Sequence, residues 1–391
     1  MNRFILFLLC LVGMAGRASA DEGIAITHGP YLQNVRETEA TIVWVANKES
    51  IGWVELAPDD GTNYYAVDRK KYFDTTNGVK NTSKLHTVKV TGLQPGTNYR
   101  YRVYATEVLE HKSWMVTYGR TDAIDVFYSN PPMFRTNDTS KPETSFAVVN
   151  DIHARQGDIT ALMNAADYKN KDMVIFNGDM LSNLRSEEQI FTGFMDEAIK
   201  LFAKEKPLYY ARGNHETRGE FATQCQRYFS PREPHLYYMF SQGPVCFIVL
   251  DTGEDKPDDD IEYSGITDYD NYRTEQAAWL AEAVKSDEYR RAKFHVVVAH
   301  MPPRPKKDMW HGQYEVLQKF VPILNEAGLD VMLCGHLHRH FVCKPDDEVR
   351  FPVVVNSLDN VISGWTKGNE LHLDMYDTKG GVVEKFSVFA K

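Results

Sequence analysis

The sequence predicts an all-β sandwich followed by an α/β domain, because the periodicity of its apolar residues changes along the chain. From about residue 24 to residue 134, short runs alternate apolar and polar residues between turns, as in Thr41–Val45, Gly52–Leu56 and His86–Val90. Such alternation is typical of an antiparallel β-sandwich. From residue 144 onward, β-branched runs such as His295–Ala299 alternate with helical patterns. This alternation predicts an α/β domain with a mainly parallel core sheet.

The elements of the second region can be assigned in order. Helical patterns cover residues 157–168, 186–203, 274–284 and 313–327, and the apolar runs between them are typical of buried strands. The tail returns to strand-like alternation at Leu371–Met375 and Val382–Phe389. We expect this tail to pair at a sheet edge or in a second sheet.

The domain boundaries follow from length and composition. A chain of 391 residues exceeds one typical domain and suggests two. The proline-containing polar stretch around Thr136–Pro142 has the composition of a linker. We therefore expect the sandwich to cover residues 21–136, a linker 137–143 and the α/β domain 144–391.

Residues 1–20 have the composition of a secretory signal peptide. A short basic start precedes the apolar run Phe4–Gly16, and Ala18-Ser-Ala20 is typical of a cleavage site. The alternative is a membrane anchor, but the apolar run is too short to span a bilayer comfortably. We expect export to a periplasm or an extracellular space, cleavage after Ala20 and no transmembrane segment in the mature chain.

Charge and cysteine content limit the classes of partner. The formal net charge of −10 argues against nucleic-acid backbone as a general partner, although a small phosphorylated substrate remains compatible with it. Four cysteines lie beyond the predicted signal peptide, at positions 225, 246, 334 and 343. An oxidising compartment permits disulfides, and four cysteines allow three connectivities that sequence does not distinguish. The oligomeric state is also left open.

Five short motifs rich in metal-ligand residues occur in the α/β region, most of them after apolar runs. They are Asp151-Ile-His153, Gly178-Asp179, Gly213-Asn-His-Glu216, Ala299-His300 and Gly335-His-Leu-His338. Side chains that follow buried strands meet at the carboxyl ends of those strands. We therefore expect the imidazoles and carboxylates to converge on one edge of one sheet.

The residue types in these motifs suit a pair of transition-metal ions. A carboxylate such as that of Asp179 can bridge two cations, and neutral imidazoles suit zinc, iron and manganese. Two ions roughly 3.5–4 Å apart can clamp a phosphoryl group and lower the pKa of a bound water. No thiolate belongs to the set, which disfavours a structural zinc site. The pattern predicts hydrolysis of a phosphate ester.

Together these motifs resemble those of the calcineurin-like metallophosphoesterase superfamily, over residues 144 to about 360. The two-domain layout resembles that of the purple acid phosphatases, as does His28-Gly-Pro-Tyr-Leu-Gln33 at the start of the sandwich. The segment Leu93–Val103 resembles a fibronectin type III module, in which the tyrosine matching Tyr99 hydrogen-bonds back to the chain. The resemblance implies a four-layer α/β/β/α metallophosphoesterase sandwich preceded by a fibronectin type III-like sandwich.

The resemblance also implies a role for each motif residue. One metal ion would be bound by Asp151, His153 and His338, the other by Asn214, His300 and His336, and Asp179 would bridge them. His215 would stabilise the transition state or protonate the leaving oxygen while a metal-bound hydroxide attacks phosphorus in line. A carboxylate that orients this imidazole is expected, and Glu216 is a candidate.

One departure from the family pattern bears on the metals. Purple acid phosphatases carry Gly-Asp-x-x-Tyr, whose tyrosinate binds iron(III) and gives the colour, whereas this chain has Ser182 at the tyrosine position. His153 can replace the lost ligand. We expect no phenolate charge-transfer band and no obligatory ferric ion, so the two ions are divalent or trivalent manganese, iron or zinc.

Arginines and one loop near the motifs are candidates for contacts with substrate. A guanidinium pairs with phosphate oxygens in a bidentate fork, which makes Arg155, Arg218 and Arg339 candidate substrate-binding residues. The acidic stretch 254–272 lies between a predicted strand and a predicted helix. It is compatible with a lid, a calcium-stabilised loop or a plain surface loop, and sequence does not decide among them.

The sequence thus predicts an exported hydrolase of small phosphate esters, with phosphomonoesters as first choice. A phosphodiesterase or nucleotidase on the same core is the alternative, because loops choose among these substrates. A rival from a different class is a binding protein with a decayed enzyme core. The complete ligand set argues against that rival, since decay would have removed a ligand or His215.

Overall fold

The computed structural model of the chain describes residues 22–128, 130–229, 235–305 and 307–391. The predicted signal peptide lies outside these residues. Within them, no helix is long and apolar enough to cross a membrane. The four cysteines beyond the predicted signal peptide are free thiols.

The N-terminal region consists of β-strands and the turns between them. Its strands are β1 (Ile26–Gln33), β2 (Glu39–Pro58), β3 (Lys70–Phe73), β4 (Thr75–Thr76), β5 (Val79–Lys80), β6 (Ser83–Thr91), β7 (Asn98–Lys112), β8 (Met115–Ala123) and β9 (Met133–Arg135). Strands β4 and β5 pair with each other, and the remaining strands are hydrogen-bonded into one antiparallel arrangement.

Strand β2 joins the two halves of this sandwich. The sequence predicts two strands, Thr41–Val45 and Gly52–Leu56, but the structure has one long strand with an irregularity in its pairing between Val45 and Ser50. Its first half pairs with β1 and β6, and its second half pairs with β3 and β7. The enclosed core contains the buried side chains of Leu32, Ile42, Trp44, Val54, Val88, Tyr101, Val103 and Phe134.

The tyrosine that resembles a fibronectin type III residue has the expected contact. The hydroxyl oxygen of Tyr99 accepts a hydrogen bond from the backbone N–H of Gln94 at 2.9 Å. This contact ties the start of β7 to the turn that precedes it, which confirms the prediction for Tyr99.

The α/β region contains two six-stranded sheets among the described residues. The first has the order β12-β11-β10-β19-β20-β21 and the second β13-β14-β15-β16-β18-β17. The strands are β10 (Ser145–Val149), β11 (Met173–Asn177), β12 (Leu208–Ala211), β13 (Tyr238–Gln242), β14 (Val245–Leu250), β15 (Phe294–Ala299), β16 (Val331–Cys334), β17 (Phe341–Cys343), β18 (Val353–Val355), β19 (Asn360–Lys367), β20 (Glu370–Asp377) and β21 (Val382–Phe389). Strands β10 to β12 are mutually parallel, as are β14, β15, β16 and β18. The C-terminal tail extends the first sheet at its edge. Pairing at a sheet edge was one of the two expected placements.

Helices cover the outer faces of both sheets. They are α1 (Gln156–Ala165), α2 (Glu187–Ile190), α3 (Asp196–Ala198), α4 (Cys225–Tyr228), α5 (Tyr269–Ala283), α6 (Asp287–Arg291), α7 (His311–Lys319) and α8 (Val321–Ala327). Two π-helical turns, Phe191–Met195 and Ile199–Ala203, make the stretch from α2 onward continuous, and 3₁₀ turns cover Tyr168–Asn170, His215–Thr217, Ala222–Gln224 and Ile261–Tyr263. The predicted helix 313–327 is two helices, because Pro322 lacks the N–H that an uninterrupted helix needs.

The alternation along each central strand assigns its two faces. In β10, Phe146 and Val148 face the second sheet, whereas Ala147 and Val149 pack against the helices. In β15, Val296 and Val298 belong to the layer between the sheets and Val297 to the opposite helical layer. This arrangement confirms the four-layer α/β/β/α sandwich preceded by an all-β sandwich.

The β-sandwich packs firmly against the α/β region. Tyr31 is completely buried in the apolar cluster that includes Phe191, and its hydroxyl donates to the carbonyl of Tyr228 at 2.8 Å. The imidazole of His28 stacks on the Phe191 ring at 4.1 Å. The hydroxyl of Tyr101 donates to the carbonyl of Lys204 at 2.7 Å. Shared apolar burial and buried hydrogen bonds therefore hold the two regions together.

The Tyr31 contact predicts a measurable contribution to stability. Tyr31→Phe keeps the ring but leaves the buried carbonyl of Tyr228 without its donor, which costs about 1–3 kcal/mol of unfolding free energy. Tyr128→Phe is the matched control, because the side chain of Tyr128 is 98% exposed. Chemical unfolding should show the loss for Tyr31→Phe alone. Equal stability of the two variants would contradict this role.

Candidate metal centre

The expected metal ligands lie in loops that directly follow parallel strands. Asp151 follows β10, Asp179 follows β11, Asn214 follows β12, His300 follows β15 and His336 follows β16. The expectation of a single sheet is wrong, since β10 to β12 belong to the first sheet and β15 and β16 to the second. Because the two sheets pack face to face, the carboxyl ends of both sets of strands open on the same site.

Several of these loop residues adopt the left-handed backbone conformation. The φ angles are +56° at Asp151, +52° at Asp179 and +71° at His336. Non-glycine residues in this region cost about 1–3 kcal/mol each and persist where the surrounding contacts fix them. Such contacts exist here, because the backbone N–H of His336 donates to Asp151 Oδ2 at 2.9 Å.

The loops assemble two clusters of metal-ligand atoms that share one residue. The first cluster contains Asp151, His153, Asp179 and His338, and the second contains Asp179, His300 and His336. Within each cluster the ligand atoms all lie within 4.8 Å of one another. The amide oxygen of Asn214 lies 3.1 Å from His336 Nδ1, which places it beside the second cluster.

The orientation of His300 leaves one ring nitrogen for a ligand. Its Nδ1 lies 2.8 Å from the carbonyl oxygen of Asn177, which can only accept, so Nδ1 carries the proton. Its Nε2 lies 3.0 Å from Asp179 Oδ2. His300 Nε2 and Asp151 Oδ1 are both buried, and neither makes a well-directed hydrogen bond among the described residues, although His338 Nε2 lies 3.1 Å from Asp151 Oδ1. Buried polar atoms are normally paired, so this donor set fits bound metal ions.

The pKa values of the clustered histidines indicate a site that favours positive charge. Burial by itself would lower the pKa of His300, but the carboxylates of Asp179 and Asp151 raise it to about 10. Burial, together with His300, lowers the pKa of His336 to about 4. A proton on His300 thus compensates buried carboxylate charge, and a bound cation would displace it.

His215 lies at the edge of the shared carboxylate. Its ring Nδ1 is 2.8 Å from the carbonyl oxygen of Ser182, and its Nε2 is 3.8 Å from Asp179 Oδ2. The backbone N–H of His215 donates to Asp179 Oδ1 at 3.0 Å. The Ser182 carbonyl therefore orients the imidazole, and its side chain remains 28% exposed.

The expected role of Glu216 as the carboxylate that orients His215 is wrong. The buried Glu216 carboxylate accepts from the backbone N–H groups of Asp179 (3.0 Å), Leu181 (2.8 Å) and Gly213 (3.0 Å). Burial and the neighbouring Asp179 raise the pKa of Glu216 to about 7. Glu216 thus holds two loops together, because its donors are backbone N–H groups of the loop that carries Asp179 and of the loop that carries Asn214.

Ser182, at the sequence position of the missing tyrosine, lies next to His153. Its Oγ is 3.3 Å from His153 Nδ1, and His153 Nε2 lies 3.2 Å from His338 Nε2. The imidazole of His153 belongs to the first cluster and comes from the loop that carries Asp151.

Comparison with known proteins identifies the family. Residues 144–340 match the model of the calcineurin-like phosphoesterases, which is half of the chain. This chain belongs to the calcineurin-like phosphoesterase family. Residues 29–119 match the N-terminal domain of the purple acid phosphatases.

Individual relatives are similar over much of the chain. Purple acid phosphatase 21 of Arabidopsis thaliana is 23% identical over 302 residues, which cover 72% of this chain and 60% of that protein. Purple acid phosphatase 18 of the same plant is 23% identical over 266 residues, covering 64% of this chain and 56% of that protein. The chain thus spans less than two thirds of the length of these relatives.

A solved structure shows the same fold. The purple acid phosphatase PPD1 from yellow lupin (Lupinus luteus) seeds superimposes with a TM-score of 0.66 at 12% sequence identity. The match covers 92% of this chain and 74% of that one. The likeness extends across the β-sandwich and the two-sheet core of this phosphoesterase family member.

Two of the three expected substrate arginines make contacts within the chain, and substrate binding by all three stays a prediction. The guanidinium of Arg155 donates to the carbonyls of Ile152, Asp151 and Leu358 and pairs with Asp359. It therefore braces the loop that carries Asp151.

Arg218 is engaged in a similar way. Its guanidinium binds Glu254 through two hydrogen bonds and lies 3.3 Å from Asp255. Arg339 differs, because it is exposed and lies over the ring of Phe341 at 5.2 Å.

Asparagines that the sequence analysis missed support the carboxylates. Asn150 donates to Asp151 Oδ2 at 2.6 Å, and Asn356 donates to Asn150 Oδ1 at 2.9 Å. Asn177 donates to the carbonyls of Ala299 and Leu333, which end strands of the other sheet. Asn150 and Asn177 could have been found from the sequence, because each is a polar residue at the end of an apolar run, one or two positions before an expected ligand.

The close approach of Gly213 to the Asp179 loop gives a testable prediction about metal binding. A Cβ atom on Gly213 would lie 2.2 Å from both the backbone nitrogen and Oδ1 of Asp179, which is too close for either to stay in place. Gly213→Ala should therefore weaken metal binding roughly 10- to 100-fold, as displacement of ligand-supporting groups does. Calorimetric titration with zinc or manganese measures the change.

The matched control for this test is Gly157→Ala. A Cβ atom on Gly157 would meet nothing within 4 Å, so its metal affinity should equal that of the natural chain. Unchanged affinity in Gly213→Ala would contradict the close approach of the two loops.

Proposed function

We propose that this chain is a binuclear metal-dependent hydrolase of small phosphate esters, with phosphomonoesters as the preferred class. The observation that carries the proposal is the pair of ligand clusters that share Asp179. The family match and the similarity to plant purple acid phosphatases support a phosphatase.

The proposed ligand assignment follows the two clusters. Asp151, His153 and His338 would hold one ion, Asn214, His300 and His336 would hold the other, and Asp179 would contribute to both. When bound, two such ions would supply Lewis-acid stabilisation of phosphoryl oxygens and lower the pKa of a water molecule. The Asn177 carbonyl fixes the His300 tautomer with the proton on Nδ1, which leaves the lone pair of Nε2 for a metal ion.

We propose that His215 donates the proton that the leaving oxygen takes up. The Ser182 carbonyl engages Nδ1, so Nε2 is the nitrogen left to face a substrate. The turn that carries His215 also carries Asn214 and donates a backbone N–H to Asp179. His215 is thereby fixed relative to the phosphoryl site, which is the geometry that general acid catalysis requires.

Export and domain division also belong to this proposal. The signal peptide over residues 1–20 would deliver the chain to a periplasm or the extracellular space. We propose the sandwich over residues 21–136, the linker over 137–143 and the catalytic domain over 144–391. The proposed linker packs tightly at its start, where the buried amide of Asn137 donates to Tyr209 Oη and to the Ser241 carbonyl.

The main test compares ester classes and variants of the site. Purified protein loaded with manganese, zinc or iron should hydrolyse p-nitrophenyl phosphate faster than bis-p-nitrophenyl phosphate. Asp179→Asn should abolish turnover and reduce bound metal, and His215→Gln should lower kcat roughly 100-fold or more while metal stays bound. His111→Gln is the control, because this exposed histidine of the sandwich bonds only to the Ser113 carbonyl among the described contacts.

The outcomes of this test separate the rival functions. Faster turnover of the diester would replace the phosphatase with a phosphodiesterase on the same core. Metal binding without turnover of either ester would favour the binding-protein rival.

The absence of a tyrosine in the first cluster predicts the optical spectrum. Iron(III)-loaded protein should lack the visible tyrosinate charge-transfer band, because Ser182 and His153 occupy the tyrosine position. Absorption and resonance Raman spectra of the iron-loaded chain measure this directly. A purple product with phenolate vibrations would contradict the assignment of His153.

A further inference from the structure

A buried carboxylate outside the ligand motifs lies next to the turn that carries His215. Glu254 follows strand β14 and is 1% exposed. Its Oε1 accepts from Thr217 Oγ1 at 2.6 Å and from Arg218 Nε at 2.8 Å. Its Oε2 accepts from Arg218 Nη2 at 2.8 Å and from Tyr263 Oη at 2.9 Å. Both oxygens are thus fully engaged, and charge-assisted contacts of this kind are among the stronger hydrogen bonds.

The partners of Glu254 are the residues that close the His215 turn. The Thr217 hydroxyl lies between Glu254 Oε1 and the backbone carbonyl of Asn214, which is 2.7 Å away. The backbone N–H of Arg218 donates to the carbonyl of His215 at 3.3 Å. Glu254 therefore contacts the part of the turn that follows Asn214 and His215, the two residues of the turn with expected functions.

The other side of Glu254 is firmly anchored. Its backbone carbonyl accepts from Arg273 Nη1 at 3.1 Å, and the Arg273 side chain is completely buried. Farther along the same loop, Asp258 accepts from the backbone N–H groups of Tyr269 and Asp270 and so caps helix α5. The acidic stretch 254–272 uses these carboxylates to fix itself, which makes Glu254 a rigid support.

We propose that Glu254 is a positioning residue for the hydrolytic reaction, holding the turn 214–218 so that Asn214 and His215 face the phosphoryl site. This inference rests on the proposed function of His215 as the proton donor. It also accounts for Arg218, whose guanidinium fork is occupied by Glu254 and thereby transmits the support to the turn. Glu254 itself acts through these neighbours and touches no substrate.

The test uses the full chain loaded with metal and substrates that differ in their leaving group. Glu254→Gln keeps the size of the side chain but has one acceptor oxygen, so it cannot hold the Arg218 fork. Its kcat should fall roughly 10- to 100-fold for an alkyl phosphate, the scale of a misplaced catalytic group. The loss should be smaller for p-nitrophenyl phosphate, because a good leaving group needs less proton donation. KM should change little.

A double-mutant cycle distinguishes positioning from general damage. If Glu254 acts through His215, then Glu254→Gln adds little to the loss already caused by His215→Gln. Additive losses would overturn the inference. Thr217→Val removes one contact of the same carboxylate with a smaller perturbation, and it should show the same leaving-group dependence to a lesser degree. This variant keeps the test valid if Glu254→Gln folds poorly.

The matched control is Glu262→Gln, the same chemical change on the same loop. The Glu262 side chain is 60% exposed and its carboxylate pairs with Lys256, so this variant leaves Thr217, Arg218 and Arg273 in place. This variant should keep the leaving-group dependence of the natural chain. The same dependence in Glu254→Gln and Glu262→Gln would overturn the inference.

A second measurement separates failure of this inference from failure of the proposed function. Hydrogen exchange of the peptide spanning residues 213–219 should become faster in Glu254→Gln and stay unchanged in Glu262→Gln. Natural protein that hydrolyses no ester would refute the proposed function, and unchanged exchange in Glu254→Gln would refute the positioning role independently.

Discussion

The carboxylate of Asp179 is the contact on which the geometry of the site depends. Its Oδ1 accepts the backbone N–H of His215, which follows strand β12 of the first sheet, and its Oδ2 lies 3.0 Å from Nε2 of His300, which follows strand β15 of the second. One buried side chain therefore joins loops from both sheets. Burial opposes ionisation, but His300 and His215 lower the pKa of Asp179 below its ordinary value. The site is thus organised around a negative charge that the fold itself keeps ionised.

The surrounding loops hold this charge at the cost of backbone strain. Asp151, Asp179 and His336 all have positive φ angles, and each is the second residue after an apolar strand. Strain of this kind persists only where other contacts over-determine the conformation. Those contacts are backbone donors bound by buried carboxylates, with Glu216 holding the N–H groups of Asp179 and Gly213. The positions of the ligand side chains therefore depend on the same contacts that fix the loops after the strands.

The sequence predicted which side chains come together because the information is local. A β-branched run that stops near Asp151, Asp179 or His300 indicates both the strand and the residue beyond its carboxyl end. The sequence could not show that these strands divide between two sheets, since pairing partners such as β10 and β19 are more than 200 residues apart. The contacts of Glu216 were missed for a related reason, because two of its partners are backbone N–H groups of the Asp179 loop, which leave no pattern near Glu216 itself.

The replacement of a tyrosine by a histidine changes the charge of the first cluster as well as its shape. A tyrosinate would add a third anionic ligand to Asp151 and Asp179, whereas His153 adds a neutral imidazole. The ligand set then carries less negative charge to offset a trivalent ion. Neutral nitrogen donors suit divalent zinc, iron and manganese. We therefore propose that a site with His153 in place of a tyrosinate would take two divalent ions and would not require iron(III).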